Sequence, residues 1–210
     1  MRKFLILWLI LTVGRLPLFG ALTPSCVENQ KDADVFLKKT SAMLPTPGYD
    51  SNSFYFQLLR ANEDYKIVPS LGFSGKLTDT YSFFVTGSAA LNYSDPWYAT
   101  SYGLSMKKNV SKVKGDVILR TTIFHADHPD WKNRIVALTG GGIYQGLPLH
   151  LGLFFSVNYE NGVVRTNLMK YQSENFYLST ALTITWSGWQ MTVRANGNTM
   201  GASLSKSILL

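Results

Sequence analysis

The sequence predicts an all-β fold, a closed antiparallel up-and-down barrel that crosses a membrane. Three observations predict it. From about Asn52 onward, apolar side chains alternate with small or polar ones, turn signals interrupt the alternation at short intervals, and no helical pattern separates the alternating stretches. A period of two is typical of strands whose two faces meet different surroundings. Many such strands in succession favour a sheet closed on itself.

The first segment, residues 1–21, is a predicted signal peptide. Arg2 and Lys3 precede the apolar run 4–13, and the small residues Gly20 and Ala21 follow it. This order of basic, apolar and small residues is typical of a secretory signal. The apolar run is too short to span a bilayer as a helix. We therefore expect the chain to be exported.

The second segment, residues 22–51, is predicted to be an N-terminal tail or a short amphipathic helix. Its apolar and small residues recur at helical spacing, and two prolines end the pattern. The residues at that spacing are Ala33, Phe36, Leu37, Thr40 and Leu44, with Pro45 and Pro47 after them. Such a helix would lie on the membrane surface or plug the barrel. The barrel domain itself is predicted over 52–210.

Cys26 is the only cysteine, so the sequence excludes an intramolecular disulfide and a cysteine zinc cluster. Its position just after the leader is compatible with lipidation, because Leu22 and Ser25 precede it. Pro24 does not suit a lipidation motif, which favours an incidental cysteine.

The formal net charge is +7, and three of the basic residues belong to the leader. Without the leader the excess of positive charge is small and scattered along the chain. Proteins that bind nucleic acid usually concentrate their basic residues on one face. We therefore expect no nucleic-acid partner.

Alternation and turn signals delimit eleven candidate strands. Single-chain bacterial barrels have even strand numbers, so we expect ten or twelve strands. The candidates are 53–60, 65–74, 80–93, 98–107, 111–124, 134–144, 149–159, 163–171, 176–186, 189–195 and 200–209.

Three dipeptides predict tight hairpins between these strands. Asn161-Gly162 and Asn196-Gly197 are the preferred pair because both residue types tolerate positive φ, and Ser187-Gly188 serves similarly. The first of these separates the candidate strands 149–159 and 163–171.

The apolar rows indicate that lipid surrounds the barrel. One row of the strand 176–186 carries no charge and has an aromatic residue at each end, as an apolar band between two bilayer interfaces requires. A soluble barrel would instead present charged residues outside. The predicted interface aromatics are Tyr98, Tyr159, Phe176, Trp186 and Trp189.

Charged residues within the strands are expected to face the lumen. An arginine at the bilayer midplane costs about 2–4 kcal/mol, so the inner face is strongly preferred. These residues either fill the lumen by pairing or form an anion path, and filling is favoured because side chains fill small barrels. The predicted lumen-lining residues are Asp116, Arg120, His150, Asn158, Arg165 and Arg194.

At class level the chain resembles the outer-membrane β-barrel proteins of Gram-negative bacteria. A C-terminal stretch is also similar to the barrel of YaiO-type proteins. The similar residues are Lys170, Tyr171, Asn175, Phe176, Leu178, Ser179 and Arg194. The resemblance implies an outer-membrane location and contact with the barrel-assembly machinery, and it implies no functional residue. The chain ends in Leu210, where the class usually ends in an aromatic residue.

The segment 125–130 is the densest group of ionisable side chains. His125, Asp127 and His128 are candidates for catalysis or for binding a metal through imidazole and carboxylate. An ordinary polar connection stiffened by Pro129 is the favoured interpretation, because a site requires convergent geometry. We therefore expect no metal and no cofactor.

Three functional hypotheses follow. The leading one is a non-enzymatic outer-membrane barrel that acts as a narrow channel, a small-molecule binder, or a structural or surface-interaction protein. The second is an outer-membrane hydrolase or acyltransferase that uses the segment 125–130. The third is a soluble periplasmic barrel that binds an apolar ligand. Outer-membrane lipids are the expected partners, and the sequence identifies no small-molecule ligand.

Overall fold

The computed structural model describes residues 27–41, 44, 52–61, 68–90, 97–196 and 199–209. Within them, helix α1 (Gln30–Ser41) precedes ten strands. The strands are β1 (Ser53–Ala61), β2 (Val68–Lys76), β3 (Tyr81–Ala90), β4 (Trp97–Val110), β5 (Gly115–His128), β6 (Trp131–Tyr144), β7 (His150–Arg165), β8 (Lys170–Trp186), β9 (Trp189–Asn196) and β10 (Thr199–Leu209). The predicted signal peptide and Cys26 lie outside the described residues.

The strands form one closed antiparallel barrel. Each strand pairs with its neighbours in the sequence, and β1 pairs with β10 to close the sheet, with Ser53 opposite Leu209. Closure satisfies the backbone hydrogen bonds that the two edge strands would otherwise expose. The predicted fold class and an even strand number are confirmed.

The two ends of the barrel carry different turns. We call the end with the β5–β6 turn (129–130) and the β7–β8 turn (166–169) the plugged end, because α1 lies there. The opposite end carries the β4–β5, β6–β7 and β8–β9 turns together with Ser53 and Leu209. At that end Ser187 and Gly188 both have positive φ, 45° and 73°, as the predicted tight hairpin requires.

The predicted strand 163–171 is wrong, because no turn forms at Asn161-Gly162. Strand β7 continues through these residues to Arg165, and the chain reverses at 166–169, where the Thr166 N–H donates to Met169 O at 2.8 Å. Gly162 faces the lumen, and a Cβ there would lie 2.5 Å from Leu37 Cδ1 of α1. The glycine therefore allows close approach of the helix instead of a turn.

The segment 125–130 is also not a loop. Strand β5 extends to His128, which pairs with Trp131 of β6, so only Pro129 and Asp130 form the turn. Proline presets the φ angle that the first central position of such a turn needs. The hairpin is therefore tight, and most of the segment is regular strand.

The outer face carries a band of apolar, exposed side chains. On β8 the outward row runs from Phe176 to Trp186 and includes Leu178 and Leu182, exposed by 72% and 52%. The ten steps from the first to the last residue of this row, at about 3.3 Å each, span about 33 Å, and a strand tilt of about 40° reduces this to about 25 Å along the barrel axis. This is the height of the apolar band on outer-membrane barrels. Among the described residues, no helix is long and apolar enough to cross a membrane.

Candidate functional site: a lumen closed by a helix

Helix α1 is amphipathic and lies inside the plugged end of the barrel. Asn29 caps its N-terminus by accepting a hydrogen bond from the Asp32 N–H at 3.0 Å. Ala33 and Leu37 are fully buried, whereas Val35 on the opposite helix face is 44% exposed. The buried face contacts the inner surface of β6, β7 and β8. Of the two positions predicted for the helix, the structure shows the lumenal one.

Aromatic and aliphatic side chains form an apolar seal around α1. The Phe36 ring lies edge-on to Trp131 at 5.6 Å between centroids, and Trp131 lies edge-on to Trp97 at 5.7 Å. The seal is completed by buried residues of several strands: Leu59, Val68, Phe124, Ile135 and Val164. Because these side chains pack without exposure to solvent, they leave little room for water at this level.

A polar cluster inside the seal fixes the helix to the wall. The side-chain nitrogen of Asn133 lies 3.1 Å from Leu37 O, 2.7 Å from Thr40 Oγ1 and 2.6 Å from Glu160 Oε1. Asn133 and Glu160 have no solvent exposure. Lys38 and Asp34 of α1 are close enough to act electrostatically on Glu160. One buried amide thus joins the helix to strands β6 and β7.

The residues on either side of α1 are also tied to the barrel. Before the helix, the Tyr171 hydroxyl donates to Glu28 O at 2.7 Å, and at its first residue Gln30 Nε2 donates to Gln172 O at 2.8 Å. After it, Arg194 Nη1 donates to Leu44 O at 3.1 Å. Arg194 therefore lies on the inner face, where it holds the plug.

The middle of the lumen is lined by hydroxyl and amide side chains. Arg120 is buried there, its Nε donates to Ser105 Oγ at 2.7 Å, and its guanidinium lies over the Phe84 ring at 5.4 Å. Asn158 Nδ2 donates to Ser179 Oγ at 3.0 Å. Both predicted lumen residues lie on the inner face, in contacts that fill space.

Near the opposite end, Asp116 faces the lumen and is surrounded by donors. The Lys107 ammonium lies 3.1 Å from it, and the amides of Gln145 and Asn109 donate to it at 2.6 and 2.9 Å. A small apolar layer lies beside this cluster, formed by Ile118, Ile143, Phe154 and Ala181. His150 is half-buried at the same end, opposite Thr185 of β8.

Arg165 does not line the lumen. It is exposed in the outward row of β7, which also contains Tyr159 and Val163. The lumenal prediction rests on the cost of an arginine in the middle of the bilayer, but Arg165 is the last residue of β7 and lies beyond the apolar band. Because the strand continues through Asn161-Gly162, Arg165 keeps the outward orientation of the odd-numbered residues.

The three catalytic candidates lie on opposite faces of β5, His128 on the inner face and both His125 and Asp127 on the outer face. His128 is buried in the lumen, stacks on Trp131 at 5.7 Å and accepts a hydrogen bond from the Asp130 N–H at 3.1 Å. His125 faces outward and stacks on Tyr102, while Asp127 forms an exposed ion pair with Lys132 at 3.2 Å. They form no convergent site. Among the described residues, no group of three His, Cys, Asp or Glu side chains could hold a metal.

The predicted interface aromatics lie on the outer face in two groups. Tyr98, Tyr159 and Phe176 are toward the plugged end, where the rings of Tyr159 and Phe176 are 4.9 Å apart. Trp186 and Trp189 form a cross-strand pair beside the β8–β9 turn at the opposite end. An apolar band with aromatics at both ends is thus formed.

Sequence reasoning missed the residues that seat the helix, above all Asn133, Glu160, Trp97 and Trp131. The signal that could have found Glu160 and Asn133 is their place in the inner rows of long strands. Glu160 follows the row of Phe154, Ser156 and Asn158 at a spacing of two. The assumed turn at Asn161-Gly162 hid this continuity.

Comparisons with known proteins give a likeness of fold. No family model matches the chain, and no curated protein matches it. It is similar to the structure titled "KdgM porin in complex with disordered oligogalacturonate", with 10% identity over 75% of this chain and 99% of that one and a TM-score of 0.40. The likeness to YaiO-type proteins stays a prediction.

Two further solved structures are similar in the same way. Ail, the attachment invasion locus protein of Yersinia pestis, is 9% identical over 74% of this chain and 92% of its own, with a TM-score of 0.32. The N-terminal β-barrel domain of Pseudomonas aeruginosa OprF is 8% identical over 75% and 98%, also with a TM-score of 0.32. At these scores they carry no functional argument. The closed antiparallel barrel seen in the structure is the fold predicted from the sequence.

Proposed function

We propose that the chain is an integral outer-membrane barrel without enzymatic activity, closed by its own N-terminal helix. In this state it acts as a structural or surface-interaction protein, with outer-membrane lipids and the barrel-assembly machinery as its partners. The observation that supports closure is the burial of Ala33 and Leu37 of α1 within the ring of β-strands.

The distribution of charge supports the membrane location. The outward rows of β7 and β8 are uncharged over the apolar band, and their charges follow only beyond Tyr159 and Phe176, at the plugged end. Apolar surface of this extent is rare on soluble monomers, because its contact with water is unfavourable. A soluble barrel with an apolar ligand inside would need the reverse arrangement.

The inner face supports a closed barrel over an open pore. The seal around α1 blocks the plugged end, and the charged residues Asp116 and Arg120 are engaged by neighbouring side chains. An anion path would need charged groups that are available to a passing ion. Filling of the lumen therefore explains these residues best.

A narrow gated channel is the second candidate. The middle of the lumen is polar, with buried hydroxyls from several strands, and would conduct water if α1 left its seat. The buried hydroxyls include Ser70, Thr86, Ser101, Thr122 and Thr192. The hydrolase hypothesis has no such support, because His128 faces the lumen whereas His125 and Asp127 face outward.

Conductance across a planar bilayer tests the closed state. The full chain is expected to insert, to show heat-modifiable migration and to conduct negligibly. Leu37→Asp places a charge in the apolar seal and is expected to raise conductance at least tenfold, because a buried unpaired charge is strongly unfavourable. The matched control is Val35→Asp on the exposed face of the same helix, which should remain closed. Steady conductance by the unaltered chain would contradict the proposal.

A further inference from the structure

An apolar groove lies on the outer face of the barrel, near the opposite end. It has a volume of about 480 Å³ and is lined almost entirely by apolar atoms of β5, β6, β7 and β8. Its floor is β6 at Gly141 and Gly142, and its walls include Val117 on one side and Leu153 and Phe155 on the other. The groove begins at the rim beside Tyr144 and runs toward the middle of the apolar band.

Glycines create the groove because they remove side chains from one strand between two apolar ridges. The outward positions Gly140 and Gly142 carry no side chain, whereas Val117, Leu119 and Leu153 beside them are each at least 43% exposed. A Cβ at the inward Gly141 would lie 2.2 Å from Leu153 O, so this glycine also allows β6 and β7 to approach closely. The depression is therefore built into the backbone.

Three lysines lie at the rim end of the groove. Lys112 and Lys114 flank Val113, which lines the groove, and Lys108 is the cross-strand neighbour of Val117 on the outer face. All three are exposed, and among the described residues no carboxylate forms an ion pair with them. The nearest acidic residue of the lining, Asp116, is turned into the lumen and paired with Lys107.

We propose that this groove binds an acyl chain of an anionic phospholipid whose phosphate is held by Lys108, Lys112 and Lys114. The proposal rests on the membrane location given under the proposed function. The groove is complementary to such a lipid along its length. Cations at the rim face the position of the phosphate, and apolar atoms toward the bilayer centre face the position of the acyl chain. Basic residues near the membrane surface attract anionic headgroups, and Tyr144 at the groove entrance suits the interface.

Native mass spectrometry of the full chain in detergent tests the proposal. Phosphatidylglycerol and phosphatidylcholine with identical acyl chains are titrated separately. The unaltered chain is expected to retain one phosphatidylglycerol with about tenfold preference, since each lysine adds a favourable electrostatic contribution. Replacing Lys108, Lys112 and Lys114 together by Gln should abolish that preference. The matched control replaces three cations near the plugged end by Gln: Lys132, Arg134 and Lys170.

A second pair of variants tests the groove itself. Leu153→Trp fills the groove from the β7 wall and should reduce binding of both lipids at least tenfold. Leu138→Trp is the control, because Leu138 is equally exposed on the outer face, 49% against 50%, and lies outside the groove.

Three results would overturn the proposal: equal binding of the two phospholipids to the unaltered chain, unchanged binding by Leu153→Trp, or displacement of phosphatidylglycerol by lipid A. A different result would show that the membrane assignment itself is wrong. In that case the unaltered chain would neither insert into vesicles nor show heat-modifiable migration.

Discussion

Asn133 donates to two oxygens of α1, Leu37 O and Thr40 Oγ1, and Glu160 accepts from the same amide. Asn133 and Glu160 are fully buried, and the Asn133 amide donates to Glu160 Oε1 at 2.6 Å. Glu160 Oε2 and Asn133 Oδ1 have no hydrogen-bond partner among the described residues. A buried polar group is costly unless its partners are present. The pair is therefore sensitive to the loss of either member.

Asn133→Ala is expected to lower the free energy of unfolding by about 1–3 kcal/mol, because it leaves the Glu160 carboxylate without its donor. Urea unfolding in lipid vesicles measures the change. In a Glu160→Ala background the same substitution should cost less, since no carboxylate is left unpartnered.

The control for this prediction is Asn161→Ala. Asn161 donates to Glu174 at 3.0 Å in an exposed position, so its loss should cost no more than about 0.5 kcal/mol. Equal losses at Asn133 and Asn161 would contradict the special role of the buried amide.

Individual orientations could be predicted wherever the alternation was read in the right register. Asp116, Arg120 and Asn158 are in the inner rows, as a period of two indicates. Arg165 was predicted to be lumenal from the cost of a charge at the bilayer midplane, but it lies at the end of β7, where that cost does not apply. Local sequence cannot distinguish a glycine that makes a turn from one that admits a neighbouring side chain.

Among the elements, β7 shows that packing against a helix can determine whether a glycine forms a turn. Asn161-Gly162 is a strong hairpin signal, yet the chain remains extended there and Gly162 is buried against Leu37. Packing between distant elements has overridden the local turn preference. Because of this contact, a larger side chain at position 162 should displace the helix.

Gly162→Val is expected to push α1 out of its seat, because a Cβ there would overlap the Leu37 side chain. The expected result is faster tryptic cleavage at Lys31 and Lys38 in barrels that still show heat-modifiable migration. Gly87→Val is the control, since a Cβ at Gly87 meets nothing within 4 Å. Equal cleavage of both variants would show that the contact does not hold the helix.

The existence of α1 could be predicted from its helical spacing, but its place could not. Its hydrogen-bond partners are remote in the chain: 96 residues separate Leu37 from Asn133, and 142 separate Gln30 from Gln172. An amphipathic pattern indicates only that one face is buried. The surface that buries this face of α1 exists only once the barrel has formed.

For the molecule as a whole, the apolar band determines which medium suits the outer face of the barrel. The band on β8 is about 25 Å high along the axis at a typical strand tilt. Charged side chains in its middle would meet hydrocarbon, whereas those at its ends would reach the headgroups. The cost of a charge should therefore depend on depth.

Leu182→Arg, near the middle of the band, is expected to cost about 2–4 kcal/mol, and Phe176→Arg at its end about 0–1 kcal/mol from the charge. Urea unfolding of the two variants in vesicles measures the difference. A small and equal cost at both positions would place the outer face in water.

The closed barrel and its apolar outer rows could be predicted because the alternation on which they depend recurs in strand after strand. One wrong strand boundary therefore changes the prediction little. Eleven candidates became ten strands when 163–171 was divided between β7 and β8. Which element fills the lumen depends on single long-range contacts, such as that of Asn133 with Thr40. Such contacts produce no repeated pattern in the sequence, so they could not be predicted.

The position of α1 also has a consequence for the order of assembly. The helix is translated before every strand, yet it packs against β6, β7 and β8, the sixth to eighth of the ten strands. Its docking surface does not exist until those strands have joined. Although α1 precedes every strand in the chain, it can therefore reach its final place only after most of the wall has formed.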